Sequence, residues 1–542
     1  MPTFAEIFAA RADDDRTGLL FEDERHTWAD VVAAARARAA LARRLLDGPG
    51  PPHFGVLLDN VPEYVHWIGA AALSGTVLVG VNPTRRGAGL AADIRHTDCR
   101  FLVTESRHLP ALAGLDLGIP RDRILVVDDP AAPLPLPASG PDAEPAPGDP
   151  LMLLFTSGST GAPKAVVCSQ GRMGVIAERG TALFGIVRDS VTYVAMPLFH
   201  GNSVMANLAP AVRAGAAVAL RRRFSASGFL PDVRRYGVTY VNYVGRALAY
   251  ILATPERPDD ADNPLVRAFG TEASAPDMAD FARRFACEVT ESYGSSEGVI
   301  SIRKTPGCPP DALGRPADGA AVTIRDPETG AECAPAKIDA SGRLLNPDEA
   351  VGEIVGEGVA ALFEGYYANP EADAERLRAD GRYYTGDLGY RDPDGFVYFA
   401  GRGSDRLRVD GENFAAAPVE RILARWPGAA MCAVYPVPDP RTGDQVMAAI
   451  EPRSAFDPGA FAAFLAGQRD LGTKWAPRFV REVREMPLTA TRKIDKRPLR
   501  DEAWRTTDPV WWRPGRELRY VRLGEDDAAA LAAEFTRYGR RP

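Results

Sequence analysis

The sequence predicts an α/β protein: a large N-terminal domain of doubly wound sheets with a β-rich subdomain, and a small α+β C-terminal domain. At 542 residues, the chain is too long for one compact core. Apolar runs alternate with helical patterns up to about residue 320, as expected for parallel strands joined by helices. Short strand patterns between Gly and Asp turns follow, and a new alternation of helices and strands begins after Arg402.

These changes of pattern give the predicted domain boundaries. The N-terminal domain covers residues 1–403, and its β-rich part starts at about residue 321. The C-terminal domain covers residues 404–508, and a tail follows at 509–542.

The first hundred residues carry the alternation most clearly. From Phe4 to Leu46 we expect a helix, a turn at Gly18 and an Ala-rich helix with apolar residues at helical spacing. The apolar stretch Trp67–Val81 is shorter than the roughly 20 residues that cross a membrane, so we interpret it as a buried helix entering a strand and expect no transmembrane segment. The predicted strands of this region are 53–58, 77–81 and 101–104.

The later segments follow the same criteria. Pro, Ala and Asp crowd residues 131–150, which predicts an exposed connection. The β-rich part has predicted strands at 322–325, 352–355 and 396–400. The remaining predictions are helices at 418–426 and 458–465, a strand at 430–437 and a helix at 525–538.

The composition excludes several classes of protein. A formal net charge of −8 provides no basic field for nucleic acid phosphates, so we expect no nucleic acid partner. Residues 1–12 lack the charged and then apolar pattern of a secretion signal, which predicts a cytoplasmic protein. The six cysteines form no CxxC pair and have no histidine at metal-binding spacing, so we expect reduced, structural thiols.

The most informative segment is LLFTSGSTGAPK, residues 153–164, where an apolar run stops in a loop of hydroxyls and glycines that reaches a lysine. Glycines let backbone N–H groups approach an anion, and the hydroxyls and the lysine add donors and charge. The Walker pattern GxxxxGK[ST] is absent, and a Ser/Gly linker would lack the flanking strand and the final lysine. The predicted phosphate-binding residues are Thr156, Ser157, Gly158, Ser159, Thr160, Gly161 and Lys164.

This loop resembles the signature of the adenylate-forming superfamily, which includes acyl-CoA synthetases, luciferases and peptide-synthetase adenylation domains. Other segments resemble the family's motifs in the same order, from about Phe4 to Leu499. They are PLFHG at 197–201, YGSSEG at 293–298, YTGD at 384–387 and GRGSD at 401–405. The segment DRLRVDGENFAAAPVE, 405–420, resembles the branch of fatty-acid transport proteins and very-long-chain acyl-CoA synthetases.

The resemblance implies ATP, Mg²⁺ and coenzyme A as cofactors. Glu297 would hold Mg²⁺, and Tyr293 would lie against adenine. Asp387 would accept both ribose hydroxyls, and Arg402 would donate to the ribose or phosphate side. The other implied nucleotide-binding residues are Gly270, Thr271, Glu272, Gly294, Ser295 and Ser296. The implied catalytic residues are Lys493, Glu297 and His200. The implied acyl-binding residues are His200, Asn242, Tyr243, Gly245 and Gly270, and the small residues among them favour a medium, long or bulky acid over acetate.

The C-terminal domain is implied to be mobile. The segment PLTATRKIDK, 487–496, resembles the family's catalytic loop and gives Lys493 as the catalytic lysine, with Arg492 where most members have glycine. Ser404 would be the hinge between an adenylating and a thioesterifying pose. The implied CoA-binding residues are Arg408, Gly411, Glu412 and Asn413. We also expect the arginine run 221–223, which has no motif around it, to be a solvated edge.

The predicted reaction is that of an acyl-CoA synthetase: an acid and MgATP give acyl-AMP and pyrophosphate, and CoA then gives acyl-CoA and AMP. Two alternatives stay open. In the first, Arg492 and Ser404 weaken adenylation, and the chain is a thioesterifying enzyme that uses a supplied acyl-adenylate. In the second, the chain is a catalytically silent acyl- or nucleotide-binding protein. A carrier-protein acceptor and a homodimer also stay open.

Overall fold

The computed structural model describes residues 2–138, 140–156, 164–245, 247–305, 307–309, 311–317, 321–339, 344–402, 406–409, 412–441, 443–468, 470–472, 474–489, 492–515 and 517–538. The chain forms two compact units. The first comprises residues 1–299, 361–375 and 490–492, and the second comprises 300–360, 376–489 and 493–542.

The strands are short, and most alternate with helices. The strands are β1 Thr17–Phe21, β2 Glu24–Thr27, β3 His53–Leu57, β4 Val77–Gly80, β5 Leu102–Thr104, β6 Ile124–Val126, β7 Pro150–Thr156, β8 Lys164–Ser169, β9 Val191–Val194, β10 Ala217–Leu220, β11 Tyr240–Val244, β12 Arg267–Thr271, β13 Glu288–Gly294, β14 Ser301–Arg303, β15 Arg315–Pro316, β16 Ala321–Arg325, β17 Gly352–Glu357, β18 Tyr383–Arg391, β19 Val397–Arg402, β20 Arg406–Val409, β21 Glu412–Ala415, β22 Ala429–Pro438, β23 Asp444–Pro452, β24 Phe479–Glu482, β25 Val510–Trp512 and β26 Val521–Arg522.

The α-helices connect most of these strands. They are α1 Phe4–Ala9, α2 Trp28–Leu45, α3 Pro62–Ser74, α4 Gly87–His96, α5 Leu109–Leu112, α6 Gln170–Phe184, α7 Gly201–Ser203, α8 Ala209–Ala214, α9 Phe229–Tyr236, α10 Ala247–Leu252, α11 Ala275–Phe285, α12 Pro347–Ala350, α13 Pro370–Arg376, α14 Ala416–Leu423, α15 Pro458–Ala466, α16 Lys496–Glu502 and α17 Glu525–Arg537. A π-helix, Val204–Leu208, joins α7 to α8.

Two twisted sheets organise the first unit. One sheet has the order β6-β5-β3-β4-β7-β8, in which β8 alone is antiparallel to its neighbour. The other runs β13-β12-β11-β9-β10-β1-β2 within this unit, and it is parallel except for β2. Parallel strands need crossover connections, which the helices supply, so the predicted doubly wound layers are confirmed.

Helix α3 is the buried helix predicted from the apolar stretch. Pro62 lies at its first position, where the missing N–H costs nothing, and Gly75 ends it with a φ of +68°. All of its residues from Tyr64 to Ser74 are buried, and β4 follows directly. No helix within the described residues is both long enough and apolar enough to cross a bilayer.

One predicted turn is wrong. Gly18 lies inside strand β1 rather than in a turn, because it packs against Trp28, the first residue of α2. A Cβ at this position would lie 2.7 Å from the indole ring, so the glycine is needed for close packing. The chain reverses instead at Glu22, whose φ is +52°, between β1 and β2.

The basic run that follows β10 is also not a simple solvated edge. Arg221 pairs with Asp232 and Arg222 with Glu105, and both carboxylates are buried. Buried charges must be paired, so these two arginines compensate carboxylates that the sequence pattern does not reveal. Arg223 also pairs with a buried carboxylate, that of Asp59 at 3.1 Å, although 61% of its own side chain is exposed.

The second unit contains the predicted β-rich part, an antiparallel sheet of order β16-β17-β18-β19. A further sheet has the order β22-β23-β24-β25-β26, with β23 and β24 parallel. Its last two strands come from the C-terminal tail, where Trp511 and Trp512 pair with Val480 and Phe479. The tail therefore extends the sheet of this unit.

Residues 131–150 form the predicted exposed connection. Between β6 and β7, the described residues form no helix or strand. All six cysteines are free thiols, as the sequence predicted.

The loop before β12 depends on a buried ion pair, which yields a test of stability. Arg284 and Asp260 lie 2.7 Å apart with side chains 4% and 3% exposed. Arg284→Met leaves a buried carboxylate without its partner, so we expect the free energy of unfolding in urea to fall by about 3–5 kcal/mol.

The neighbouring Arg283 is a matched control on the same helix. Its pair with Glu256 has side chains 58% and 51% exposed. Exposed pairs contribute little, so Arg283→Met should leave the urea midpoint nearly unchanged. Equal losses for the two variants would contradict the assignment of the stability to burial.

Candidate active site

The predicted phosphate loop connects two antiparallel strands. β7 ends at Thr156 and β8 begins at Lys164, and the two residues are paired across the ladder. A strand-loop-strand connection differs from the strand-to-helix turn of a Walker loop, in agreement with the missing Walker pattern. The predicted residues Ser157, Gly158, Ser159, Thr160 and Gly161 lie outside the described residues, as does the side chain of Thr156.

Lys164 and Glu297 both contact Tyr366. The Tyr366 hydroxyl donates a hydrogen bond of 2.5 Å to Glu297 Oε1, and Lys164 Nζ lies 5.7 Å from the centre of the tyrosine ring. Lys164 and Glu297 are each 6% exposed. Lys164 Nζ also pairs with Glu375 Oε2 at 2.8 Å. The structure thus joins two predicted groups through a tyrosine that the sequence analysis missed.

Tyr366 is held by its backbone. It forms a bridge with Val166 of β8, and its N–H donates to Asp373 Oδ1 at 2.7 Å. The neighbouring Glu364 accepts hydrogen bonds from the backbone N–H and the hydroxyl of Ser169. The only signal in the sequence was a pair of adjacent tyrosines in a short polar stretch, which is a weak indication by itself.

The predicted acid-binding segment PLFHG is held by Asn60. The Asn60 side chain donates to the Met196 carbonyl and accepts from the Leu198 N–H, each at 2.9 Å. Gly80 lets the segment approach the end of β4, since a Cβ there would lie 2.8 Å from the Phe199 carbonyl oxygen. Buried backbone groups of the loop are therefore satisfied by a buried amide.

His200 is half-buried at the start of α7. Its Nδ1 accepts a hydrogen bond of 3.4 Å from the backbone N–H of Asn202. The next residue, Gly201, lies beside the YGSSEG segment, because a Cβ there would lie 3.6 Å from Ser296 Oγ. The structure therefore brings these two predicted motifs together.

The YGSSEG segment follows the end of β13. Tyr293 is half-buried, whereas Gly294 and Ser295 are exposed. The Arg172 guanidinium donates a hydrogen bond to the Ser296 carbonyl. This contact fixes the segment just before Glu297.

Tyr243, Gly270 and Glu291 lie in one row across three neighbouring strands. Tyr243 pairs with Gly270, and Gly270 pairs with Glu291. A Cβ at Gly270 would lie 2.5 Å from the Tyr243 ring, so the tyrosine fills that space. Its hydroxyl donates to Glu291 Oε1 at 3.1 Å. Burial and the nearby Glu291 carboxylate raise the pKa of Tyr243, which keeps the hydroxyl protonated.

The loop after β12 has an unusual backbone. Glu272 is exposed and has a φ of +70°, which non-glycine residues rarely adopt. The Thr271 carbonyl accepts from the Gly245 N–H at 3.0 Å, and the Ala273 N–H donates to Glu291 Oε1 at 2.7 Å. The loop is thus held from both sides.

An apolar cavity lies against β9 and β11. It is narrow: the space open to a water-sized sphere is about 10 Å³, close to what a single water molecule needs. Its lining is mainly aromatic and aliphatic, as in sites for apolar ligands. The lining residues include Tyr193, Phe224, Phe229, Tyr243, Leu248 and Phe281.

Asn242, a predicted acyl-binding residue, also borders this cavity, but its amide is engaged. Its Nδ2 donates to Asn202 Oδ1 at 2.6 Å, and its Oδ1 accepts from Asn207 Nδ2 at 2.7 Å. Asn207 lies in the π-helix, and such turns occur often at functional sites. Asn242 therefore anchors the segment after His200 to β11.

In the second unit, Asp387 and Arg402 lie directly opposite each other on β18 and β19. Directly opposite residues present their side chains on the same face of a sheet. The Asp387 N–H donates to Thr385 Oγ1 at 3.1 Å. The side chain of Arg402 lies outside the described residues.

The predicted CoA-binding residues belong to a hairpin of β20 and β21. Arg408 pairs with Asn413, and Val409 pairs with Glu412. Gly411 and the predicted hinge Ser404 lie outside the described residues, as do the side chains of Arg408, Glu412 and Asn413.

Lys493 is hydrogen-bonded to Thr489. Its N–H donates to Thr489 Oγ1 at 3.2 Å, and its carbonyl accepts from the Thr489 N–H at 2.7 Å. Arg492 has a φ of +63°. This confirms the prediction that Arg492 occupies a position that favours glycine.

The residues of the first unit fit MgATP chemically. Glu297 is a buried carboxylate, the kind of oxygen ligand that Mg²⁺ prefers, and its neighbour Tyr366 donates a hydrogen bond to it. Lys164 adds a buried positive charge beside it. Bound Mg²⁺ would compensate phosphate charge and so assist the departure of pyrophosphate.

Comparisons with known proteins identify the family of the chain. Residues 6–367 match the model of the AMP-binding enzyme family, and residues 418–493 match that of the AMP-binding enzyme C-terminal domain. The chain is 52% identical to steroid-22-oyl-CoA synthetase of Rhodococcus jostii over 99% of this chain and 98% of that protein. It is 46% identical to medium/long-chain-fatty-acid–CoA ligase FadD17 of Mycobacterium tuberculosis, over 94% and 98% of the two chains.

A solved structure supports the fold. The anthranilate CoA ligase AuaEII in complex with anthranoyl-AMP superimposes with a TM-score of 0.79 over 93% of this chain and 97% of its own, at 22% identity. The predicted resemblance, the α/β fold class, the acid–thiol ligase activity and the cofactors ATP, Mg²⁺ and CoA are confirmed. The chain therefore belongs to the AMP-binding enzyme family and is an AMP-forming acyl-CoA synthetase.

Proposed function

We propose that the enzyme activates a long or bulky apolar carboxylic acid, such as a steroid carboxylate or a long-chain fatty acid. The observation that carries this proposal is the 52% identity of the chain to steroid-22-oyl-CoA synthetase over 99% of its length. The apolar lining of the cavity against β9 and β11 agrees with it. Because the cavity is narrow, its side chains would have to move apart to admit such an acid. Each Å² of apolar surface then removed from water contributes roughly 25 cal/mol, so a long acid gains more than acetate does. The names of the two relatives point to acids of the same kind.

The proposed site residues divide by half-reaction. For adenylation, we assign Lys164, Glu297 and Lys493 to the phosphates and the metal. Asp387 and Arg402 would bind the ribose, and loop 270–272 and Tyr293 to Ser296 the rest of the nucleotide. Buried positive groups aimed at developing negative charge can lower a barrier by about 3 kcal/mol.

For thioesterification, we assign the hairpin around Gly411 to CoA. Residues 404–508 would act as a mobile domain about the hinge Ser404, with His200 beside the acyl group or the CoA channel. Rotation of a small domain is a common way to present one site to two reactions. We further propose a cytoplasmic enzyme that forms a homodimer.

The alternative of a thioesterification-only enzyme is favoured by one observation, the positive φ of Arg492. The strain costs about 1–2 kcal/mol. A cost of this size would slow closure of the catalytic loop about tenfold, because about 1.4 kcal/mol changes a rate tenfold. It does not abolish adenylation, so we favour the complete reaction.

The cavity assignment is tested by Ala247→Leu. Ala247 is buried and lines the cavity. The larger side chain should remove space, so kcat/KM for a long-chain acid should fall about 10–100-fold, because one methylene in an apolar pocket is worth about 1–3 kcal/mol. Butyrate should change less than twofold on that scale. The half-buried Ala249 on the same helix does not line the cavity, so Ala249→Leu serves as the control. Equal losses for both acids would argue against the assignment.

The role of Lys493 is tested by Lys493→Ala. Formation of acyl-CoA from free acid, ATP and CoA should fall by about 100-fold or more, because charge stabilisation in the first transition state is lost. Conversion of a supplied acyl-adenylate to acyl-CoA should continue. Lys496→Ala is the control, since Lys496 pairs with Glu420 at 2.9 Å instead. Undiminished turnover of free acid by Lys493→Ala would refute the assignment of Lys493 to adenylation. A wild type that forms no acyl-CoA would support the alternative of a silent binding protein.

Arg492→Gly separates the two catalytic proposals. Glycine removes strain of about 1–2 kcal/mol but adds about 0.5–1 kcal/mol of unfolded-state entropy, so stability should change little. If the complete reaction is correct, the wild type exchanges pyrophosphate into ATP in the presence of acid and without CoA, and the variant changes that rate by less than about tenfold. Exchange that occurs only in the variant would support the thioesterification-only alternative.

A further inference from the structure

We infer that the Tyr243 hydroxyl and the Glu291 carboxylate form a positioning pair for the loop 270–273, and that this pair sets the affinity for MgATP. The inference rests on the proposed assignment of this loop to the nucleotide. Neither group is proposed to touch the reacting atoms. Both act through the backbone of the loop.

The row of strands explains how the two groups meet. Tyr243 on β11 and Glu291 on β13 are separated by β12, which places Gly270 between them. Strands lie about 4.8 Å apart, so a side chain on β12 would block the approach. Because Gly270 has none, the Tyr243 ring lies across it, and the hydroxyl lies 3.1 Å from Glu291 Oε1.

Glu291 in turn holds the end of the loop. The oxygen that accepts the Tyr243 hydroxyl also accepts the Ala273 N–H at 2.7 Å. A hydrogen bond to a charged acceptor is shorter and about twice as strong as one between neutral groups. The bond to Ala273 lies one residue after Glu272, whose φ of +70° is unfavourable for a residue with a Cβ.

The arrangement counteracts local strain. A left-handed non-glycine residue persists where surrounding contacts fix it, and such residues cluster at ligand-binding sites. On one side the Thr271 carbonyl is bonded to the Gly245 N–H, and on the other Ala273 is bonded to Glu291. Tyr243 orients that carboxylate. Without its hydroxyl, the carboxylate would be less well oriented, and the loop would lose its binding geometry for part of the time.

This role differs from contact with the acid. The Tyr243 ring borders the apolar cavity, whereas its hydroxyl points to Glu291. Removal of the single oxygen therefore leaves the cavity wall in place. A positioning pair predicts weaker nucleotide binding with little change in acid binding, and a residue that serves only the cavity predicts the reverse.

The experiment measures the Kd of MgATP by titration calorimetry with the full-length protein. Tyr243→Phe should weaken MgATP binding about 5–10-fold, and Glu291→Gln should weaken it at least as much. The double variant should be no weaker than Glu291→Gln, because the two groups act as one unit. In pyrophosphate exchange, the KM for a long-chain acid should stay within twofold for Tyr243→Phe.

Tyr240→Phe is the matched control. Tyr240 lies on the same strand, is 2% exposed, and donates a buried hydrogen bond of 2.6 Å to the Ala206 carbonyl. Loss of this hydrogen bond should lower the Tm by about as much as Tyr243→Phe does, without changing the Kd of MgATP. An unchanged Kd in Tyr243→Phe, or an equal change in Tyr240→Phe, overturns the inference. A wild type that binds MgATP but does not exchange pyrophosphate would refute the proposed function. The Kd values of the variants would still decide whether the pair positions the loop.

Discussion

The site in the first unit depends on providing partners for two buried charged side chains. Lys164 and Glu297 are both buried, and a buried charge without a partner costs several kcal/mol. Glu375 pairs with the Lys164 ammonium at 2.8 Å, and Tyr366 donates its hydroxyl to Glu297 and presents its ring face to the ammonium. Because Lys164 begins β8 directly after the phosphate loop, pairing this lysine also fixes one end of that loop.

The fold was largely predictable because its signals are local. Apolar runs of strand length gave β3, β4 and β5, and the helical spacing gave α2 and α3. Gly18 was misplaced because a glycine in a turn and a glycine under an indole ring look alike in a sequence. The arginines after β10 were misread because their partners, Asp232 and Glu105, are distant or unmarked along the chain.

The same distinction separates the predicted parts of the site from the missed ones. Lys164 and Glu297 lie in motifs whose residues are assigned to the ligand itself, so the two motifs are enough to identify these residues. Tyr366, Asn60 and Glu291 act on other protein groups. Among their partners, Glu297, Leu198 and Ala273 lie 69, 138 and 18 positions away in sequence. No sequence pattern around these residues indicates that they bind other protein groups, so only the tertiary structure identifies them.

Backbone strain connects these observations. Among the described residues with positive φ and a side chain, Glu272 and Arg492 lie in segments that we assign to adenylation. Each costs about 1–2 kcal/mol relative to glycine, which is a large fraction of the stability of a folded domain. A chain that needed only stability would favour glycine at both positions. Ala286, Ala368 and Ala503 also have positive φ, so this chain accepts such strain at positions whose side chain has no polar group. The strain at Glu272 and Arg492 therefore concerns the backbone path of the two segments, which the contacts around each segment must stabilise.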